Sequence, residues 1–261
     1  MKFIDTHAHL YVPQFDAERS EMLERTFATG VEKVYLPAID SETHERVLQL
    51  ERDYPTQCIA MMGLHPCSVQ ADDFEKELDI VFNYWKQRDF CAVGEIGLDL
   101  HWDKSTLDIQ KIAFATQMRW AKTWNRPIVI HARESMNEIL PMVRAEKTSR
   151  LNGIFHCYSG TLEQAQECIE LGFYLGIGGV LTYKKSGLSE IIREIPLEHL
   201  VLETDSPYLS PVPHRGKRNE SSYIPLIAKV LAEVKNCTIE EVAAITTANA
   251  ERIFTNPISY L

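Results

Sequence analysis

Two histidines, His7 and His9, follow the first apolar segment of the chain and are separated by a single alanine. In an extended chain, residues i and i+2 point to the same face, so both imidazoles can converge on one point at the end of a strand. Convergent neutral imidazoles are typical metal ligands. An isolated His-x-His pair is equally compatible with a polar strand end, so the rest of the chain must decide between the two interpretations.

Five further residues able to bind a metal or transfer a proton lie where other apolar segments end. Each histidine among them, taken alone, could be a hydrogen-bonded residue that caps a buried strand. If the segments are strands of one barrel, however, their carboxyl ends meet at one face, and the five residues join the first two in a single site. The five are His65, Glu95, His131, His156 and Asp205.

Glu95 is unusual because it interrupts the apolar segment AVGEIGLD. A carboxylate in a buried strand is costly unless it is ion-paired or bound to metal. A salt bridge would remove this cost, but bridging two cations explains it better beside so many histidines. The whole set exceeds what one tetrahedral zinc ion uses and suits two divalent ions that share an activated water. We therefore predict a binuclear hydrolytic centre with the metal ligands His7, His9, Glu95, His131, His156 and Asp205.

Three other histidines are interpreted as ordinary residues outside this site. His44 lies in a charged helical segment, His101 in a loop rich in Trp and Asp, and His199 just before a predicted strand. Asp5 and Asp99 are interpreted as carboxylates that support a ligand or a turn.

The elements that must position these residues alternate between short apolar segments and longer stretches of helical periodicity. This is the pattern of repeated strand and helix units around a parallel sheet. The predicted strands are 2–6, 33–38, 58–63, 91–96, 128–131, 153–156, 174–177 and 200–203. The predicted helices are 16–29, 42–53, 72–88, 105–124, 134–146, 161–171, 188–193, 222–235 and 238–248, the last with a Thr-x-x-Glu capping box at Thr238.

Eight such units predict an α/β fold, a TIM-like (β/α)8 barrel with C-terminal extra helices. An open doubly wound sheet would give a similar order of elements, but it would spread the polar residues along an edge. The 261 residues match the size of one such barrel, and no linker-like or low-complexity segment divides them. We therefore predict a single domain over residues 1–261.

Composition and charge narrow the classes of function. The chain lacks a leader-like start and any apolar segment near the roughly 18 residues of a membrane span, so we expect a cytoplasmic protein without membrane contact. Six cysteines without CxxC spacing predict buried free thiols. The formal charge of −10 argues against nucleic-acid binding through surface charge alone, unless bound metal ions make the site locally positive.

Seven short segments occur in order along the chain: DTHAHL, GLHP, GEIGLD, HAR, HCYSG, LETDSPYL and RGKRN. With these segments, residues 3–220 resemble the TatD-type metal-dependent deoxyribonucleases of the wider amidohydrolase superfamily. The resemblance implies a TIM-like barrel and metal-dependent hydrolysis of DNA phosphodiester bonds, and we expect a 3′-5′ exodeoxyribonuclease. One departure is Ser221, where the resemblance implies RNEP rather than RNES.

The resemblance also implies roles for individual residues. His7, His9, Glu95 and Asp205 would hold one metal ion, and Glu95, His131 and His156 the other. The implied catalytic residues are Asp205, which would orient the water and take its proton, and Glu203 and His65, which would line the site. The cations implied to bind substrate phosphates are Arg133, His214, Arg215, Lys217 and Arg218.

Metal identity and substrate stay open at this stage. Histidine-rich ligands favour zinc, manganese, iron or nickel, whereas the resemblance implies magnesium, so we expect the site to accept several divalent ions. The expected partner is DNA or another phosphate-bearing substrate, bound by a monomer. Alternatives are an ester hydrolase on aminoacyl-tRNA, another amidohydrolase-type hydrolase of a small anionic substrate, and a structural metalloprotein. Glu95 disfavours the superfamily enzymes that place a modified lysine on the fourth strand, and the open metal positions disfavour a purely structural site.

Overall fold

Eight parallel strands form the centre of the fold in residues 1–255, the part of the chain that this computed structural model describes. They are β1 (Phe3–Asp5), β2 (Val31–Leu36), β3 (Cys58–Ala60), β4 (Val93–Asp99), β5 (Ile128–Arg133), β6 (Gly153–Phe155), β7 (Phe173–Ile177) and β8 (Leu200–Leu202). Strands β1 to β3 pair in chain order as one sheet, and β4 to β8 pair in chain order as another. Every predicted strand is therefore present.

Backbone hydrogen bonds join the two sheets into a barrel. The N–H of Thr6 donates to the carbonyl of Leu202 at 3.0 Å, which connects the end of β1 with β8. On the other side, the N–H of Met62 donates to the carbonyl of Ala92, and the N–H of Gly94 donates back to Met62, each at 3.3 Å. The predicted TIM-like barrel is confirmed.

Helices follow the strands and surround the barrel. They are α1 (Arg19–Ala28), α2 (Ser41–Asp53), α3 (Phe74–Gln87), α4 (Leu107–Trp124), α5 (Met136–Glu146), α6 (Leu162–Glu170), α7 (Leu188–Glu194), α8 (Ile224–Lys235) and α9 (Ile239–Thr255). The extra helices α8 and α9 follow the last strand, as predicted. Within residues 1–255, no helix combines the length and the apolar character needed to cross a lipid bilayer.

The predicted capping box at the start of α9 is confirmed. Thr238 Oγ1 accepts the backbone N–H of Glu241 at 3.1 Å, and Glu241 Oε2 accepts the backbone N–H of Thr238 at 2.8 Å. These two bonds satisfy donors that the first turn of a helix otherwise leaves unpaired.

Several predicted boundaries differ from the structure, including those of β2 and β3, which end at Leu36 and Ala60 rather than at residues 38 and 63. Three differences have a clear physical reason. Helix α1 begins at Arg19 rather than at residue 16, because Pro13–Phe15 form a separate 3-10 turn before it. Strand β4 continues to Asp99 rather than ending at residue 96, because its last residues pair with β5. Helix α9 continues to Thr255 rather than ending at residue 248, because its last turns pack against the strands.

An apolar cluster fills the amino-terminal mouth of the barrel. Strand residues that point inward meet three residues of α9, and the ring of Phe254 stacks on Tyr35 with centroids 3.9 Å apart. The members are Ile4, Tyr35, Met61, Ala92, Val129, Ile154 and Val201 from the barrel and Ala250, Ile253 and Phe254 from α9. Helix α9 therefore closes the mouth opposite to the predicted site.

Two expectations about single residues are refined. His44 lies in α2 as predicted, but it is buried, and its ring packs edge-on to Tyr84 with centroids 5.2 Å apart. The cysteines among the described residues are free, as predicted, but only Cys58 and Cys168 are buried. Cys67 is exposed, and the other three are partly exposed.

Candidate metal centre

Seven predicted side chains come together at the carboxyl end of the barrel, where their strands or the loops directly after them place them. Parallel strands of a barrel all end on one face, which is why residues far apart in sequence meet there. The seven are His7 and His9 after β1, His65 after β3, Glu95 in β4, His131 in β5, His156 after β6 and Asp205 after β8.

One carboxylate oxygen of Glu95 faces a first pair of histidines. Its Oε2 lies 3.1 Å from His7 Nε2 and 3.4 Å from His9 Nε2, and the two nitrogens are 3.3 Å apart. Asp205 Oδ1 lies 3.6 and 3.7 Å from the same two nitrogens. Four ligand atoms thus converge on one point.

The other oxygen of Glu95 faces a second pair. Its Oε1 lies 2.8 Å from His131 Nδ1 and 2.7 Å from His156 Nε2, and these nitrogens are 3.2 Å apart. His65 Nε2 also lies 3.4 Å from this oxygen. A carboxylate whose two oxygens face two separate histidine pairs has the placement of a bridging ligand.

Hydrogen bonds behind the cluster determine which histidine nitrogen is free to bind metal. The hydroxyl of Tyr11 donates to the carbonyl of Pro37 at 2.6 Å, so it accepts Nδ1–H of His9 at 2.8 Å and leaves Nε2 unprotonated. His131 donates Nε2–H to Asp99 Oδ2 at 2.8 Å, so in the neutral ring Nδ1 is the unprotonated nitrogen. Both lone pairs face the cluster, and the predicted supporting role of Asp99 is confirmed.

His65 has the opposite arrangement. Its Nδ1 accepts the backbone N–H of Cys67 at 3.0 Å, so in the neutral ring the hydrogen is on Nε2. This Nε2–H points toward Glu95 Oε1. His65 is therefore built to donate a hydrogen bond into the site rather than to bind metal.

Asp5 ties the loop after β1 to the loop after β8. Its Oδ1 accepts the backbone N–H of His7 at 3.2 Å and of Thr204 at 3.0 Å, and its Oδ2 accepts the Thr204 hydroxyl at 2.6 Å. Asp205 follows with a left-handed φ of 56°, which Asp tolerates better than most residues, and donates its N–H to His7 O at 2.9 Å. These contacts set the positions of His7 and Asp205 relative to each other.

Glu203 lies behind His156 rather than among the ligand atoms. It is fully buried, its Oε1 accepts the backbone N–H of Cys157 at 2.6 Å, and the same oxygen is 3.7 Å from His156 Nδ1. A Cβ on Gly176 of β7 would lie 2.1 Å from Glu203 Oε2, so this strand needs glycine to make room for the carboxylate. The structure thus places Glu203 where it can orient His156.

Electrostatics favour the metal-binding protonation state of His7 and Glu95, but not of every ligand. Burial and the nearby charge of His156, whose ring stacks on His7 at 3.9 Å, hold the pKa of His7 well below its usual value. Burial raises the pKa of Glu95, but the surrounding histidines outweigh it and leave this pKa well below the usual value. Burial also raises the pKa of Asp205 to about 6. At neutral pH, His7 is therefore neutral and Glu95 is ionised.

Burial lowers the pKa of His131 and of His156, but other contacts outweigh it. Hydrogen bonds to Asp99 and Glu95 do so for His131, and the charge of Glu95 does so for His156, so both pKa values are raised. A bound cation would therefore have to displace a proton from these two rings.

An unsatisfied carboxylate oxygen in the cluster fits a bound cation. Glu95 is only 1% exposed, and its Oε2 has no hydrogen-bond partner within residues 1–255. A buried carboxylate oxygen without a donor is costly, and a divalent cation beside it would remove that cost. A mixture of imidazole and carboxylate donors suits zinc, manganese, iron or nickel. The residues present therefore fit metal ions.

Three of the predicted phosphate-binding cations are exposed and available. Arg133 Cζ lies 5.4 Å from the ring centroid of Trp102, and Arg215 Cζ lies 4.5 Å from that of Tyr183. Lys217 is exposed in the same loop as Arg215. Within residues 1–255, no carboxylate forms an ion pair with any of these three cations.

Arg218 and His214 are held by other parts of the chain. Arg218 forms an ion pair with Glu18, donates to the carbonyl of Gln14 at 2.7 Å and lies over the ring of Phe15. The ring of His214 stacks on Tyr223 with centroids 4.1 Å apart. These contacts attach the loop between β8 and α8 to its surroundings, so the guanidinium of Arg218 is already occupied.

Sequence reasoning missed several residues at this face. Tyr11, which orients His9, continues the spacing of two that begins with His7 and could have been found from it. Lys184 and Lys185 are exposed in the loop after β7, and two adjacent lysines after an apolar segment were the available signal. Trp102 gave no signal beyond its aromatic type.

Comparisons with known proteins show which family the chain is similar to. The sequence pattern of the family described as TatD related DNase matches residues 4–255. The uncharacterized metal-dependent hydrolase YabD of Bacillus subtilis is 41% identical over 251 residues, which cover 96% of this chain and 98% of YabD. The 3′-5′ ssDNA/RNA exonuclease TatD of Salmonella typhimurium is 32% identical over 257 residues, which cover 96% of this chain and 98% of that protein.

A solved structure is also similar over nearly the whole length. The crystal structure of YjjV, a TatD homologue from Escherichia coli, has a TM-score of 0.91 with this fold at 31% sequence identity. The superposition covers 98% of each chain.

Proposed function

The chain belongs to the TatD-related DNase family and is a metal-dependent hydrolase, and from this premise we propose that it cleaves DNA phosphodiester bonds as a 3′-5′ exodeoxyribonuclease. The relative TatD of Salmonella typhimurium is named as an exonuclease on single-stranded DNA and RNA, which supports this substrate class. A cytoplasmic location and a monomeric state stay predictions of the sequence.

The observation that carries the proposal is the placement of Glu95. Its two oxygens face two separate histidine pairs, so we infer that two divalent ions bind and share this carboxylate. His7, His9 and Asp205 would complete one site, and His131 and His156 the other. When bound, two such metal ions lower the pKa of a bound water and supply positive charge for the phosphoryl oxygens.

Residues of the chain itself would bind and orient the substrate. Arg133, Arg215 and Lys217 are exposed and free of ion pairs with the described residues, so their charges are available to phosphate oxygens. His65 would donate its Nε2–H to a phosphoryl oxygen. We assign Arg218 to bracing the loop, because Glu18 already neutralises it.

Asp205 is the proposed proton acceptor. Its carboxylate lies beside the His7 and His9 pair, 3.6 and 3.7 Å from their Nε2 atoms, where it could accept a proton from a water bound between them. Glu203 would act through His156. Its carboxylate faces Nδ1 of that ring, on the side away from Glu95, and would keep the ring in position.

The test is cleavage by the full chain before and after metal removal. Substrates are single-stranded DNA, RNA of the same sequence, 3′-recessed duplex DNA and aminoacyl-tRNA, each labelled at the 5′ end. We expect chelation to abolish cleavage without unfolding, since a barrel of this size does not need metal for its core. Added manganese, magnesium, zinc or nickel should restore a ladder of DNA products shortened from the 3′ end.

The outcomes separate this proposal from its alternatives. Elemental analysis should show up to two metal ions per chain in the active protein. Full activity in protein verified as metal-free would contradict the mechanism. Deacylation of tRNA without cleavage of any DNA would instead indicate the ester hydrolase.

A further inference from the structure

Two exposed aromatic rings stand on opposite sides of the candidate metal centre. Tyr208, half exposed, follows Asp205 in the loop after β8, and its ring centroid lies 6.3 Å from that of His9. Trp102, in the loop after β4, is 72% exposed. One ring therefore borders the His7 and His9 pair, and the other lies on the side of His131.

Trp102 is held close to the site by its backbone. The N–H groups of His101 and Trp102 donate to Asp99 Oδ1 at 2.9 and 3.2 Å, and the other oxygen of Asp99 accepts Nε2–H of His131. A single carboxylate thus connects the tryptophan loop to a predicted metal ligand. The indole itself extends from this fixed point into solvent.

Packing does not explain the exposure of these rings. Burial of a large apolar side chain typically stabilises a fold by about 1.5–3 kcal/mol, and Trp102 forgoes most of that gain. Leu209, beside Tyr208, is 39% exposed and takes a left-handed φ of 54°, so this loop also holds apolar groups outward at some conformational cost. Exposed aromatic and apolar groups around a site indicate a ligand with apolar faces.

We propose that Trp102 and Tyr208 are stacking platforms for the bases on the two sides of the scissile phosphate. This inference rests on the proposed function and names the part of the substrate that the metal centre cannot recognise. Bases that stack on these rings must be unpaired and unstacked from a complementary strand, so the substrate is single-stranded at the site.

The positive charges near the two rings also suit a single-stranded nucleic acid. Arg133 lies over Trp102, and Arg215 lies over Tyr183 next to Lys184 and Lys185. Stacking rings combined with cations that track the backbone are the usual means of binding single strands without sequence preference. An acidic protein with only local positive charge benefits from the stacking contribution, because it adds affinity without further cations.

The test measures binding of two phosphorothioate 12-mers, which resist hydrolysis, to the full metal-loaded chain by fluorescence anisotropy. One is oligothymidylate, and the other carries abasic sites in place of every base, so both present the same phosphates. We expect the wild type to bind the base-bearing strand more tightly than the abasic strand, with a contribution of at least about fivefold from each of the two rings. Trp102→Leu and Tyr208→Leu should each reduce this ratio, and Trp102→Phe should keep part of it.

Trp120→Leu is the matched control, because Trp120 lies near the end of α4, where its ring packs against Phe82 of α3, and should leave the ratio unchanged. Equal affinity of the wild type for the two strands, an unchanged ratio in the leucine variants, or equally tight binding of blunt duplex would overturn the inference. These outcomes differ from a failure of the proposed function. In that case the protein would not cleave unmodified DNA in the presence of metal, whatever the ratio of the two affinities.

Discussion

The two mouths of the barrel are built from the same eight strands but from opposite kinds of residue. At the amino-terminal mouth, inward-pointing side chains such as Ile4 and Val129 meet Phe254 and its neighbours on α9. At the carboxyl mouth, the inward positions carry Glu95, His131 and other polar groups, several of which have a buried atom with no hydrogen-bond partner in the described part of the chain.

The contrast shows how the fold separates stability from chemistry. Apolar burial at one mouth stabilises the barrel, whereas buried carboxylates and imidazoles at the other mouth cost free energy until a ligand satisfies them. Substitutions at the two mouths should therefore affect different measurements.

The largest effect is expected for Glu95→Gln. The neutral amide keeps the size of the side chain but cannot bridge two cations, so hydrolysis should fall by about 10³-fold or more, since even residues behind a metal ligand cost 10–100-fold. Metal content measured by elemental analysis should fall in parallel. The variant should still unfold in urea in one cooperative transition. Failure to fold would contradict the claim that the carboxyl mouth serves chemistry rather than stability.

Asp205→Asn should separate proton transfer from assembly. The amide retains one acceptor oxygen but cannot take a proton, so turnover at saturating metal should fall by about 10²-fold or more. Occupancy of both metal sites must be measured in the same samples, because the lost charge also weakens one of them.

The control for this substitution is His101→Asn, which changes a nearby exposed residue outside the metal cluster and should leave turnover near wild type. Near-normal turnover of Asp205→Asn with both metals bound would exclude Asp205 as the proton acceptor. Glu203 or His65 would then be the next residue to test.

At the opposite mouth, Phe254→Ala should destabilise the fold without changing the chemistry. Loss of a nearly buried ring stacked on Tyr35 should lower the free energy of unfolding by about 3 kcal/mol. The urea midpoint measures this change, and turnover per folded molecule should stay at the wild-type value. Ile112→Ala on the exposed face of α4 is the control and should change stability little.

The smallest effects are expected in the cationic loop, where two arginines should differ. Arg215→Ala should weaken binding of single-stranded DNA and reduce the slope of log affinity against log salt by about 0.7. Arg218→Ala should leave that slope unchanged and lower stability by about 1 kcal/mol or less, because its partner is Glu18. Equal slopes for the two variants would contradict the assignment of Arg218 to bracing.

The sequence predicted the carboxyl mouth better than the amino mouth. His7, Glu95 and His156 stand out because a charged or polar side chain at the end of an apolar segment has few explanations. The plug formed by α9 was missed, since the last turns of this helix have no distinctive pattern and gain their order from contact with Tyr35 and other strand residues.

The roles of individual side chains could not be predicted from the sequence either. His65 presents an N–H to the site while His9 presents a lone pair, and this difference depends on Cys67 and Tyr11, whose hydrogen bonds arise only from the folded loops. Arg218 and Arg215 lie in one basic segment, and they are distinguished by the contacts of Arg218 with Glu18 and Gln14, about 200 residues away in the chain.

The closure of β1 on β8 sets an order of events during synthesis on the ribosome. Thr6 bonds to Leu202 across 196 residues, and ribosomes add about 5–20 residues per second, so roughly 10–40 s pass before the first strand meets its last partner. During that interval, β1 to β3 present an unpaired sheet edge of the kind that other nascent chains can join. Slower translation of the second half of the message should therefore increase the demand for chaperones.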